Sequence, residues 1–218
     1  MSYVLDTTPS EYNQYRLVTP ATTLPVAVDS IKSLLRLDVA DTSEDAFIGA
    51  LIMSATDQVE KYLKRDLLTK TYTLYLDRFT GLIEIRRSPL RAITSIRYDN
   101  IDNVDTLLSA ATYNIVYNND FSNIQLAPTQ VWPVLYNKRQ AVRITFTAGY
   151  GIATDIPVAI QHAISLIALN MYENRGDCDE GGAADCGPCA TGMPGMARGL
   201  LAPYRILDLN GRPMNGRF

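Results

Sequence analysis

Histidine is almost missing from this chain: His162 is the only one among 218 residues. Catalysis by a Ser/His or Cys/His pair would have to use it. It sits between Gln161 and Ala163 in a helical pattern, and no G-x-S-x-G elbow accompanies it. A structural or surface role is the simpler reading. Cysteine is scarce too, and Cys178, Cys186 and Cys189 all fall in one segment. An odd, clustered count excludes a secreted disulfide framework. The stretch Cys186-Gly187-Pro188-Cys189 makes one knuckle, whereas structural zinc needs four ligands. His162 could complete such a set only if the segment folded back. We therefore read incidental thiols and expect no metal and no cofactor.

Phosphate-binding patterns are also lacking: neither G-x-x-x-x-G-K-[ST] nor G-x-G-x-x-G occurs. Asp99-Asn100-Ile101-Asp102-Asn103-Val104-Asp105 resembles a calcium loop but has no glycine at its sixth position, so a solvated β-turn is expected. No uncharged apolar run reaches the length of about 18 residues that suggests a membrane span. The first residues have neither the basic region nor the apolar run of a signal peptide, which leads us to expect a protein made and used in the cytoplasm. Strong basic charge is missing as well, with a formal net charge of −3 and a pI near 5.2. A duplex-gripping surface normally needs more. Basic charge does gather at the end, where Arg198, Arg205, Arg212 and Arg217 face only Asp208. Such a tail on an acidic body reads as an interaction segment for an acidic protein surface or nucleic acid.

What is present is ordinary globular composition, 47% hydrophobic and 20% charged, enough for one domain with a real core. Residues 1–22 are polar, without a clear period, and read as an N-terminal arm lacking its own core. A short helix is predicted over 25–37, with Pro25 in its first turn. A stronger one is predicted over 43–65, with Thr42 as N-cap and Phe47, Ile48, Leu51, Ile52, Ala55, Val59, Tyr62 and Leu63 on its apolar face.

From residue 69 the period changes to two. Strands are expected at 71–76, 82–86, 93–98 and 142–147, and a hairpin from 113–117 and 124–126. A last long helix covers 156–174. Residues 176–195 form a Gly-, Cys- and Pro-rich loop, long enough to suggest a function of its own or disorder. A short helix over 197–207 is weakened by Pro203, and 208–218 is a flexible C-terminal tail. The fold class is α+β: a small helical bundle from the early and late helices, with an inserted antiparallel β module of five or six strands. Tyr72, Tyr75, Tyr98, Tyr113 and Tyr117 fall in the strands; without a flanking basic groove, half-buried sheet positions or a subunit interface suit them better than base stacking.

Several segments, in order, resemble the head-tail connector (adaptor) family of long-tailed phages and related prophage and gene-transfer-agent particles. They are Val28-Asp29-Ser30-Ile31-Lys32-Ser33-Leu34-Leu35-Arg36-Leu37, Glu44-Asp45-Ala46-Phe47-Ile48, Val59-Glu60-Lys61-Tyr62 and Arg65-Asp66-Leu67. Ile85-Arg86-Arg87-Ser88-Pro89-Leu90, Trp132-Pro133 and Val142 through Ala148-Gly149-Tyr150-Gly151 follow. Ile156-Pro157, Met171-Tyr172-Glu173-Asn174-Arg175 and Leu200-Leu201-Ala202-Pro203-Tyr204-Arg205 complete the series. The resemblance spans about 24–207 and makes 23–207 the connector domain.

It implies a homo-oligomeric ring, typically of twelve copies, beneath the portal protein at the neck of a virion. It also implies a channel through which double-stranded DNA passes without sequence-specific binding, a platform for a downstream neck or tail-completion protein, no membrane partner and no enzymatic activity. A C-terminal segment engaging the portal is part of the same implication. On it, Leu200, Leu201, Tyr204 and Arg205 are the expected portal-binding anchors, with Arg212 and Arg217 beyond them; ordinary intramolecular packing is the competing reading for the first three. Two other functions stay open: a nucleic-acid-handling factor in DNA packaging that uses the arginine tail and tyrosines, and a small hydrolase or metalloenzyme built on the cysteines and His162.

Overall fold

The computed structural model describes residues 14–174 and 193–207. Four α-helices fall within them: α1 (Val28–Leu35), α2 (Asp45–Leu63), α3 (Val158–Glu173) and α4 (Gly195–Leu201). The eight strands are β1 (Gln14–Thr19), β2 (Lys70–Leu76), β3 (Leu82–Ile85), β4 (Leu90–Asp99), β5 (Asp105–Leu107), β6 (Tyr113–Val116), β7 (Ser122–Leu126) and β8 (Val142–Ala148). The α+β expectation holds, with the early and late helices packed together and the strands inserted between them in sequence. Cys178, Cys186, Cys189 and most of the 176–195 loop lie outside the described residues, as does the 208–218 tail.

The helical layer follows from periodicity. On α2, Ile48, Ile52, Ala55, Val59 and Leu63 recur at helical spacing and are all buried. They meet Ile160, Ala163, Ile164, Ile167 and Ala168 of α3, together with Ala197 and Leu201 of α4. Lys32 of α1 is an unusual member of this layer, only 1% exposed. Its ammonium group donates to the Val39 carbonyl (3.2 Å) and the Asp41 carbonyl (2.7 Å) and pairs with Asp45 at the start of α2. A buried cation is tolerated only when paired and hydrogen-bonded in this way. Lys32 thereby ties down the connection between α1 and α2.

The β module has two antiparallel sheets. Five strands run in the order β1-β2-β8-β4-β5 and three in the order β3-β7-β6. On the central strand β8, Val142, Ile144, Phe146 and Ala148 are buried and alternate with Arg143, Thr145 and Thr147. The buried set packs with Leu74, Ile96, Ile83, Ile85 and Ile124 into a second core between the sheets. The opposite face of the large sheet is polar, carrying Arg16, Thr73, Thr145, Arg97 and Arg143 in register.

The Gly149-Tyr150-Gly151 turn joins the two layers. The Gly149 N–H donates to the Pro89 carbonyl and the Tyr150 N–H to the Leu67 carbonyl, while the Thr69 N–H returns to the Gly151 carbonyl. Gly149 has φ +121° and Gly151 φ +138°, a region that L side chains rarely adopt. A Cβ on Gly149 would stand 2.2 Å from the Leu68 carbonyl oxygen. Glycine is required here because the exit of β8 crosses the α2–β2 connection at backbone contact.

Four expectations change. Among the described residues the strands number eight rather than five or six, because β1 and β5 were unforeseen. Residues 14–19, read as part of a coreless arm, form an edge strand against β2 with a bulge at Val18. Thr42 does not cap α2; Glu44 occupies the N-cap position, without a side-chain cap bond, and the Tyr172 hydroxyl bonds to its carboxylate. Pro25 precedes α1 instead of opening it, and α1 starts at Val28.

Candidate docking surfaces

The basic C-terminal region starts from a fixed point. Helix α4 packs on α3, and Pro203 converts its end into a 3-10 turn over Ala202–Tyr204. The Ile206 N–H then donates to the Leu63 carbonyl at the end of α2 (3.1 Å), and Ile206 itself is buried. Arg205 lies over the Tyr62 ring at 5.0 Å. Leu207, 63% exposed, is the last described residue.

The expected anchor residues therefore divide. Leu201 is fully buried among the helices and has no surface to offer a partner, so we withdraw it as a docking anchor in favour of intramolecular packing. Leu200 and Tyr204 are half-buried against the same core, and Arg205 is exposed. Arg212 and Arg217 lie outside the described residues.

Arg65 was not foreseen and is the hub of this region. Its Nε donates to the Tyr204 carbonyl (2.8 Å). Its Nη1 donates to the Ser88 hydroxyl (2.9 Å) and the Asn119 carbonyl, and its Nη2 pairs with Asp120 (2.6 Å). One planar guanidinium thus joins the end of α2, the β3–β4 connection, the β6–β7 turn and the C-terminal segment. The position of Arg65 at the end of the predicted 43–65 helix reads only as helix-dipole complementation. Its partners are distant in sequence, so spacing alone could not reveal them.

Beside it, Asp66 is buried and accepts from the Tyr72 hydroxyl (2.6 Å). Arg87 lies over the Tyr72 ring at 4.6 Å, and the Tyr15 hydroxyl of β1 accepts the Arg86 N–H at 2.9 Å. Burial pushes the Tyr15 hydroxyl up to about 12, so it stays protonated. These contacts hold β1 against the body.

A second polar cluster pins the far end of the large sheet. Arg143 of β8 grips both Asp99 oxygens (2.8 Å each) and reaches Asp105 of β5 at 2.8 Å; Lys138 adds a contact to Asp99 at 2.8 Å, and Arg97 one to Asp105 at 2.7 Å. The calcium-loop lookalike is thus a β4–β5 turn, in which Asn100 Oδ1 accepts the Asp102 and Val104 N–H groups.

The hydrogen bonds from Arg143, followed by that from Lys138, hold the Asp99 carboxyl well below the usual carboxylate range. A depressed folded-state pKa contributes stability above the unfolded value of about 3.9, and loses it as pH falls through the folded one. Asp99→Asn is therefore expected to be less stable than wild type at pH 7, with the gap narrowing steadily below about pH 4. Urea unfolding of both proteins at pH 7, 4 and 3 tests this. A gap independent of pH would show that Asp99 acts by packing alone.

His162 is exposed on α3. Among the described residues, no group of three or more His, Cys, Asp or Glu could hold a metal, and no helix is long and apolar enough to cross a membrane. The strand tyrosines share no single platform: Tyr72 is buried between layers, Tyr75, Tyr98 and Tyr113 are half-buried, and Tyr117 is exposed. The surface instead offers exposed apolar side chains at the sheet ends, among them Leu17, Val18, Ile101, Val104 and Leu107. Isolated exposed apolar residues are normal, whereas groups of them mark contacts.

Residues 26–126 match the model of one protein family. That family is the phage gp6-like head-tail connector proteins. No curated protein sequence matches the chain. Among solved structures, a chain in the neck of a native gene transfer agent particle, computed with C12 symmetry, is similar with a TM-score of 0.68 and 25% identity, covering 92% of this chain and 100% of that one. Chains from the neck of an empty particle, computed with C6 symmetry, and from a native virion have TM-scores of 0.72 and 0.69, each at 24% identity and with the same coverage. The head-tail connector resemblance thus holds in sequence over 26–126 and in fold over nearly all of the chain. The connector fold accounts for both layers, including the Gly-Tyr-Gly joint and the α4 segment stapled to α2. Lys32, Arg65 and Gly149 make their contacts within the chain.

Proposed function

We propose that this protein is a structural head-tail connector subunit at the neck of a virion or virion-like particle. In this reading, twelve copies form a ring under the capsid portal, extend the channel for double-stranded DNA and carry the next neck or tail protein. It acts by assembly, not by catalysis. The observation that carries the reading is the connector family match over 26–126, combined with full-length likeness to a neck protein from a C12-symmetric reconstruction. Contacts in a cyclic ring join two different surfaces of the subunit and close when the rotation closes. The acidic balance of the chain suits a channel that lets DNA slide without gripping it.

The C-terminal region is the portal-facing element. Leu200, Tyr204 and Arg205 form its base on the body, and Arg212 and Arg217 lie in the segment beyond. A segment that orders on docking offsets its entropic cost with new contacts. Mass photometry of the protein, alone and mixed with its cognate portal, tests the function. A discrete ring, or a portal complex gaining one copy per portal subunit, is expected. A monomer that ignores the portal would overturn the reading.

A further inference from the structure

We infer that neighbouring copies join through the two ends of the five-stranded sheet, with the β1 edge of one subunit lying against the β4–β5 edge of the next. The inference rests on the ring reading above and names the surface that closes the ring. In a ring of about twelve copies, successive subunits differ by a rotation of about 30°, so the two contact surfaces lie on nearly opposite sides of each subunit. The order β1-β2-β8-β4-β5 puts β1 and the β4–β5 edge at opposite ends of one rigid element.

Among the described residues, both ends have an unfilled strand edge. Strand β1 pairs there only with β2, over Gln14–Thr19. Strand β4 pairs with β8 along its whole length, but β5 covers only Arg97–Asp99 on its other side. The edge from Arg91 to Ser95 is therefore open, and Arg91, Ala92 and Thr94 are exposed along it. The open stretches are similar in length.

Their polarity agrees as well. Strands β1, β2, β8 and β4 alternate in direction. A copy continuing the sheet by rotation brings its β1 antiparallel to β4, the pairing that open edges form most readily. In that alignment the second half of β1 faces the start of β4, and its first half faces β5.

The side chains match where β1 meets the start of β4. Leu17 and Val18, 46% and 55% exposed, come beside Ala92 and the exposed Ile152, which follows the Gly151 turn next to Arg91. Arg16 comes to the level of Ser95, as the ladder through Thr73 and Thr145 fixes. The bulges at Val18, Arg91 and Thr94 interrupt both ladders. Bulged edges resist indiscriminate pairing, which is useful in a subunit that must stay apart until it is recruited.

The test places a photo-crosslinking amino acid at position 18 in the full chain and assembles it on the portal. Mass spectrometry should find it attached to residues 90–107 or to Ile152 of a neighbouring copy. In parallel, Val18→Lys and Ala92→Glu should each reduce the fraction in rings at least tenfold, and the double variant should restore it, with thermal unfolding unchanged. If the wild type forms rings but position 18 crosslinks elsewhere and both charge variants assemble normally, the inference fails while the connector reading stands. If the wild type forms no ring with or without portal, the connector reading itself fails.

Discussion

Alanine in place of Gly149 is expected to lower unfolding stability by about 3 kcal/mol or more, beyond the range of most single substitutions. Two costs combine. The backbone has φ +121°, which a Cβ disfavours, and that Cβ would stand 2.2 Å from the Leu68 carbonyl oxygen and 2.6 Å from its carbon. Neither atom is the end of a flexible side chain, so relief requires the β8 exit and the α2–β2 connection to separate. Separation weakens the hydrogen bonds from Gly149 to Pro89 and from Tyr150 to Leu67. Gly199→Ala is the control: it lies in α4 with open space around it, and alanine there should be neutral or stabilising by about 0.5–1 kcal/mol. Urea denaturation of the two variants checks both. Equal stabilities would mean that the turn is not the joint we describe.

The contrast between these glycines shows what the amino-acid order could reveal. Gly149 and Gly151 stand out because they follow a strand and precede a helix, where a turn is needed. Alternation along β8 made its buried face legible, and the 3.6-residue period did the same for α2 and α3, since a large stretch of each is decided by one-sided burial. Strand β5 has only three residues, one of them Asp105, and exists because Arg143 and Arg97 anchor that aspartate. Strand β1 has no alternation to read: its buried contact is Tyr15, against Arg86 and Phe146, and the rest is exposed edge. Both strands are made by long-range contacts, which local pattern does not encode. The same holds for the docking surface. Leu200-Leu201 reads as one apolar pair, yet helical geometry sends Leu201 into the core and leaves Leu200 half-buried.

That geometry gives the subunit two separable tasks. The helical layer fixes where the C-terminal segment leaves the body, and the large sheet spans the body from one lateral edge to the other. The two layers meet at Gly149–Gly151 and at Arg65, so the proposed ring contact at the sheet and the proposed portal contact of the C-terminal segment would share one frame. In the proposed role such a frame matters, because each copy would have to satisfy its neighbours and the portal at once.

Arg65 tests this coupling directly. Arg65→Ala removes the donors to the Tyr204 and Asn119 carbonyls and to the Ser88 hydroxyl. The ion pair with Asp120 adds little, since Asp120 is 60% exposed. The larger loss comes from the Tyr204 carbonyl, left without its donor in a region where Arg65 is itself only 11% exposed, whereas the Asn119 carbonyl keeps the Ser88 hydroxyl. Together they give an expected destabilisation of about 2–4 kcal/mol. Arg65→Lys should recover only part of it, because an ammonium group lacks the planar fork that reaches all three segments. The effect should also be directional. Hydrogen exchange at the Ile206 N–H, which donates to the Leu63 carbonyl, should accelerate more than exchange in β8, and portal binding should weaken while the sheet stays intact. If exchange at Ile206 and in β8 rises equally, Arg65 supports the whole domain and does not specifically position the C-terminal segment.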